Sequence, residues 1–135
     1  MHDIILHAHK GIAYTELILV AVFLILMFAI SFGNRKISKT FRKITMFVMI
    51  IFHIQFLIGI VMLLTKGLDM SAVMRNDDLR FQYVEHPASM FIAAVMMTII
   101  NKKIKVTDKL SVPLVSFSLV VVALFVFALP WSKIF

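Results

Sequence analysis

Cysteine is absent from the 135 residues. Its absence excludes disulfides, thiolate metal sites, a cysteine nucleophile and covalent haem attachment through a C-x-x-C-H motif. Charge is sparse: 16% of residues are charged and only seven are acidic. With four glycines and three prolines, the chain carries no Gly-rich phosphate loop, and it has no Ser/His/Asp set and no H-E-x-x-H. Internal repeats, low-complexity tracts and flexible linkers are missing as well. What fills the chain instead is apolar: 61% of residues are hydrophobic, and the mean hydropathy is +1.00. Such a composition needs lipid around it.

A crossing of the hydrocarbon takes roughly 20 apolar residues. Four such stretches use nearly all of residues 1–135, which predicts an all-α membrane protein, a single domain built as a four-transmembrane-helix bundle. The first helix is expected at about 5–32, ending at Gly33-Asn34-Arg35-Lys36, and the second at about 41–64, ending near Lys66-Gly67. The third, at about 81–100, draws Glu85, His86 and Pro87 into the span; the fourth, at about 110–129, tolerates Pro113 in its first turn and closes at Pro130-Trp131. The first helix does not read as a cleaved signal peptide, because its positive charge follows a long apolar core rather than preceding a short one.

Nine of the fourteen basic residues fall in two short segments: Arg35, Lys36, Lys39, Arg42 and Lys43, then Lys102, Lys103, Lys105 and Lys109. The positive-inside rule places these loops in the cytoplasm and both termini on the extracytoplasmic side of an inner membrane. The pI near 10.0 is thus a topology signal. Lysines split between loops beside a bilayer form no basic groove, so no nucleic-acid partner is expected.

Histidine is the residue left to carry chemistry, since ionisable groups within a bilayer are costly and mark functional sites. His53 is expected about 16 Å and His86 about 8 Å below the outer edges of their helices, with His9 near the interface. His7 and His9 lie about 200° apart around the first helix, so at most one faces the bundle axis. His2 reads as terminal and solvated. Glu16, at a depth similar to His53, is expected to be protonated or paired with that histidine, which would make His53 an interhelical hydrogen-bonding residue. Histidines on three helices of a small bundle also suit a haem or metal site built from facing helices.

Several motifs bear on that choice: His9 with Gly11 and Tyr14; His53-Ile54-Gln55-Phe56-Leu57-Ile58-Gly59; Val84-Glu85-His86-Pro87 with Met90; and Leu129-Pro130-Trp131. Together they resemble a family of small four-helix membrane proteins of Bacteroidetes described as cytochrome b-like, over almost the full length. That family's first motif reads His-Ser-Gly-x-Arg-Trp; here Lys10 replaces the serine, Ala13 the arginine and Tyr14 the tryptophan. If the family's arginine pairs with a haem propionate, Lys10 or Arg80 would take its place here.

Haem b suits the residues: two imidazoles can supply both axial ligands, and Phe, Leu and Met side chains can keep water from the macrocycle. His86, His53, His9 and His7 are the candidate ligands, with Met90 a weaker axial alternative. Three functions follow. One is a haem b electron carrier or respiratory-complex subunit rather than a stand-alone enzyme, exchanging with quinone at Gln82, Tyr83 and Glu85. Another is a Cu or Zn protein whose metal is gathered by His9, His53 and His86. The third is a structural or assembly subunit of a larger membrane complex, without cofactor. Glu85 is expected to serve a histidine other than its neighbour or a proton path, and Glu16 to support a histidine from behind.

Overall fold

The computed structural model describes residues 1–135 and is all-helical. Its elements are α1 (His2–Phe32), α2 (Lys39–Lys66), α3 (Met70–Arg75), α4 (Asp77–Arg80), a π-helical turn (Phe81–Glu85), α5 (His86–Val106), α6 (Val112–Ala128) and α7 (Trp131–Ile134). Three helices are long and apolar enough to cross a membrane: α1, α2 and the continuous stretch Asp77–Val106. The shorter α6 is equally apolar in character.

The ends of these helices have local causes. The Ser38 hydroxyl accepts from the Phe41 N–H at 3.1 Å and opens α2, and Gly67, at φ 64°, ends it in the left-handed region. The third long helix starts four residues before the expected Phe81, because Asn76 caps it by accepting from the Leu79 N–H. Its π turn traces to Pro87. A proline has no N–H for the carbonyl four residues back, and here the chain widens so that the His86 N–H donates to the Phe81 carbonyl instead.

Consecutive long helices pack side by side: α1 on α2, α2 on α5, and α5 on α6. Their buried residues recur at alternating intervals of three and four. On α1 these are Ala13, Glu16, Val20, Phe23, Met27 and Ile30; on α2, Phe41, Thr45, Val48, Phe52 and Gln55. Met90, Ala93, Met97, Ile100 and Ile104 continue the pattern on α5, and Leu114, Ser118, Val121, Phe125 and Ala128 on α6. A 3.5-residue period keeps one seam of each helix facing the bundle axis, as in left-handed coiled packing. Phe23 stacks on Phe41 with ring centroids 5.4 Å apart, and Phe52 meets Phe125 at 5.0 Å. The buried hydroxyls of Thr45 and Ser118 each donate to the carbonyl four residues back, at 2.8 Å, so they add no unpaired group to the core.

At one end of the bundle the two basic loops meet. The Ile37 N–H donates to the Asp108 carbonyl at 2.7 Å, and the Arg42 guanidinium donates to the carbonyls of Ile104 and Thr107 at the end of α5. Arg42 thereby satisfies carbonyls that a helix C-terminus leaves open. Both chain termini lie at the other end, where the Tyr14 hydroxyl donates to the Ile134 carbonyl at 2.7 Å and ties α7 to α1.

Candidate functional site

A cavity of about 240 Å³ opens at the end that carries the termini. Along α1 its wall is His2, Leu6, His9, Ala13 and Glu16, spaced four, three, four and three. This is the buried seam of α1 carried outward, with polar residues replacing the apolar ones below. Gln55 and Gly59 face it from α2, one turn apart on one side of the helix. His86 and Met90 face it from α5, and Leu129 and Pro130 close it from the end of α6.

His9 and His86 are brought together. Their ring centroids are 6.3 Å apart and their planes nearly perpendicular, at 87°. The His86 ring is held from behind, whereas His9 is held by its backbone. Pro130 ends α6 and leaves the Ala128 carbonyl without a backbone donor, and the His86 Nδ1–H donates to it at 2.7 Å. That bond selects the tautomer whose Nε2 carries a lone pair. The Gln55 Nε2 donates to the His9 carbonyl at 2.8 Å, and a Cβ at Gly59 would sit 3.6 Å from His9 Cε1. Gln55 and Gly59 therefore form a rest for His9.

Polar atoms without partners concentrate here. His2 Nδ1, His9 Nδ1, both oxygens of Glu16 and Gln55 Oε1 are buried and unbonded, and all belong to residues of this cavity; elsewhere only Asn101 Oδ1 shares that state. Buried polar groups ordinarily have partners, so the concentration marks a place for water or a ligand.

Other expected residues lie elsewhere. His53 is exposed on the side of the bundle: its Nδ1–H donates to the Met49 carbonyl at 2.8 Å, and its Nε2 lies 3.2 Å from the Thr98 hydroxyl. It does not pair with Glu16, because the α2 seam runs through Phe52 and Gln55, and residue 53 is turned about 100° away from Phe52. His7 is likewise exposed, leaving His9 as the inward member of that pair. His2, expected in solvent, is instead a cavity residue, since α1 begins at residue 2 and puts it on the seam.

Gln82 and Tyr83 line the cavity near its mouth, where the Lys66 ammonium donates to the Tyr83 hydroxyl. Glu85 points away. Its carboxylate pairs with Arg80 at 3.0 Å, and Arg80 also pairs with Asp77 at 2.9 Å. Arg80 is thus engaged outside the cavity, and Lys10, Lys66 and Lys133 are its cationic residues. No group of three or more His, Asp or Glu side chains converges anywhere, so the three-histidine metal set of His9, His53 and His86 is not assembled. Thr98 carries no signal in the sequence, and Gly59 stands there only as the last residue of the His53 motif. Gln55 belonged to the His53 motif, but only the seam period reveals that it, rather than His53, faces inward.

Comparison with protein-family models, with curated proteins and with solved structures finds no match to this chain.

Proposed function

We propose that this is a four-span inner-membrane protein with both termini outside, and that its outer cavity holds haem b between His9 and His86. It would serve as an electron carrier or as a subunit of a larger respiratory complex. The observation that carries this reading is the histidine pair itself. Two imidazoles on opposite sides of one iron, with metal–nitrogen distances of about 2 Å, place their ring centroids about 6 Å apart. The separation in this cavity is 6.3 Å.

The donor set fits as well: no thiolate competes, and the Ala128 carbonyl holds the His86 ring by its Nδ1–H, which leaves Nε2 as the atom that would bind iron. The cavity, at about 240 Å³, is smaller than cofactor sites, which run about 300–1,000 Å³, so haem would need it to widen at its adaptable wall residues Met62, Met90 and Lys66. Lys10, Lys66 and Lys133 would pair with the propionates, in place of the arginine that the cytochrome b-like resemblance leads one to expect at Ala13. That resemblance supports the same site, because His9, Gln55, Gly59, His86 and Leu129 from its motifs line one cavity.

Bound there, haem b supplies a one-electron couple. The protein's part is to hold the two imidazoles, shield the macrocycle with Leu6, Phe56, Met90 and Leu129, and admit an exchange partner at the mouth. Gln82 and Tyr83 are the residues offered to a quinone head group. Purified protein from haem-replete cells is expected to show a Soret band with a low-spin spectrum. A colourless preparation would replace this reading with that of a structural subunit, whose histidines only bond between helices as His53 does.

The wall formed by Gly59 gives a finer check. Gly59→Ala places a methyl in ordinary contact with His9 and should keep the spectrum, whereas Gly59→Leu drives a branched side chain against the ring and should lose most bound haem. Equal pigment in both variants would remove His9 from the site. For topology, α6 at 17 residues spans about 26 Å, the lower limit for crossing a hydrocarbon core of about 30 Å, and Leu129 to Trp131 would complete the crossing at the interface. Reporter fusions at Phe135 and within residues 69–78 are expected to read outside and one near Lys39 inside; an inside reading at Phe135 would mean an odd number of crossings.

A further inference from the structure

Glu16 is the one carboxyl that faces the cavity, and it is fully buried with neither oxygen in a hydrogen bond. Gln55 Oε1 and His9 Nδ1, on the same cavity's wall, are also buried without partners. Bare polar atoms in a low-dielectric interior cost free energy until water or a ligand meets them. These three residues line one void, with their unpartnered atoms covered just behind its surface, so water meets them once a side chain turns toward the void. At about 30 Å³ per water, it has room for on the order of eight. The void reaches the outer end, where His2, Lys66 and Lys133 form its rim, and beyond Glu16 the seam is packed shut by Val20, Phe23, Phe52 and Met97.

We propose that this cavity is a blind proton well: water entering from the outer end bridges His9 and Gln55 to Glu16, which stands as a neutral acid at the closed end and exchanges its proton with the outer solution. The well carries protons into the membrane without a path across it, since nothing polar continues the route between Glu16 and the loops at the other end except Thr45, Ser118 and Asn101, and the two hydroxyls are spent on their own helices. The other ionisable residues of the cavity are His2, His9, Lys10, Lys66, Tyr83, His86 and Lys133, none of them an acid of the carboxyl type. A protonated carboxyl within it is therefore that of Glu16 alone. The inference does not rest on the haem reading; with haem between His9 and His86, the waters of the well would be those beneath it, among His9, Gln55 and Glu16.

Infrared spectra of the protein in lipid vesicles test it. The wild type is expected to show a protonated-carboxyl C=O stretch that Glu16→Gln lacks and that shifts down within minutes of transfer to D2O. If the stretch is missing from the wild type, persists in Glu16→Gln, or stays unshifted over hours in D2O, there is no such well. Should Glu16→Gln fail to assemble, the wild type can be treated with a membrane-permeant carbodiimide, which reacts with buried protonated acids, and mapped by mass spectrometry. An adduct at Glu16 with Asp77 and Asp78 unmodified supports the proposal, and an unmodified Glu16 overturns it.

Discussion

His86→Ala is expected to abolish the Soret band of the purified protein, and His9→Ala to abolish it or convert it to a high-spin form, while His53→Ala and His7→Ala keep the wild-type spectrum. The asymmetry between the first pair and the second comes from rotation about the helix axes. His9 and His86 lie on the seams of α1 and α5 and face one void, whereas His53 and His7 are exposed on the bundle's flank. His86 should show the largest loss. Its ring is the better anchored of the two, through the Ala128 carbonyl, so its removal takes away a pre-oriented ligand that no neighbour can replace. Met90, one turn further along α5, also faces the cavity and offers only a thioether, a weak donor compared with imidazole. Absorption spectra of the four variants, normalised to haem per chain, decide the matter. A wild-type spectrum from His86→Ala would end the assignment, and loss of the band in His53→Ala alone would move the site to the side of the bundle.

The second large effect contrasts two adjacent residues of α2. Phe52→Ala should destabilise the bundle by about 2–3 kcal/mol, whereas His53→Ala should cost about 0.6 kcal/mol. Phe52 is buried and packed on Phe125 of α6, so truncation leaves a hole between two helices. The figure falls below the roughly 3–5 kcal/mol usual for a buried aromatic because the unfolded reference, in detergent or lipid, is itself apolar, and the lost term is chiefly packing. His53→Ala removes one contact to Thr98, and its other bond, to Met49, lies within its own helix. Thermal unfolding of the detergent-solubilised variants, followed by loss of helical signal, gives the comparison. Similar losses for both would mean that α2 is rotated from the register described here.

Depth and rotation differed in how far they could be read from the chain. The distance of His53 and His86 along their helices follows from counting residues at about 1.5 Å each, but the count depends on where each helix ends. The third long helix starts at Asp77 rather than Phe81, and α2 runs to Lys66 rather than Leu64. Which way each histidine faces does not follow from hydropathy. In a soluble helix the polar face reports the outside, but here both the lipid face and the core are apolar, and that contrast vanishes. The pairing expected between His53 and Glu16 failed for this reason: similar depth was taken without rotation. A trace of rotation was nonetheless present in the spacing of the polar residues. His2, His9 and Glu16 recur every seven residues on α1, and Phe41, Thr45, Val48, Phe52 and Gln55 hold the same period on α2. Read as seams, these would have turned His7 and His53 outward and Gln55 inward.

Pro87 shows a further limit. A kink near it was legible, because a proline cannot donate to the carbonyl four residues before it. That the chain answers with a π turn over Phe81–Glu85, and that this turn leaves Gln82 and Tyr83 at the cavity while Glu85 pairs with Arg80, depends on how the neighbouring helices hold the two ends.

By itself, then, the sequence determined that the chain is helical, that its long helices are apolar enough to cross a membrane, where they begin and end to within six residues, and that no thiolate is present. These are properties of composition and of local chain geometry, which need no knowledge of neighbours. The tertiary structure alone decided that His9 meets His86, that the Ala128 carbonyl and Gln55 hold them, and that Glu16 is left bare at the end of a cavity. Each of these is a relation between helices far apart in the chain. It is set by how the seams interlock once a single register satisfies the packing of all the helices together.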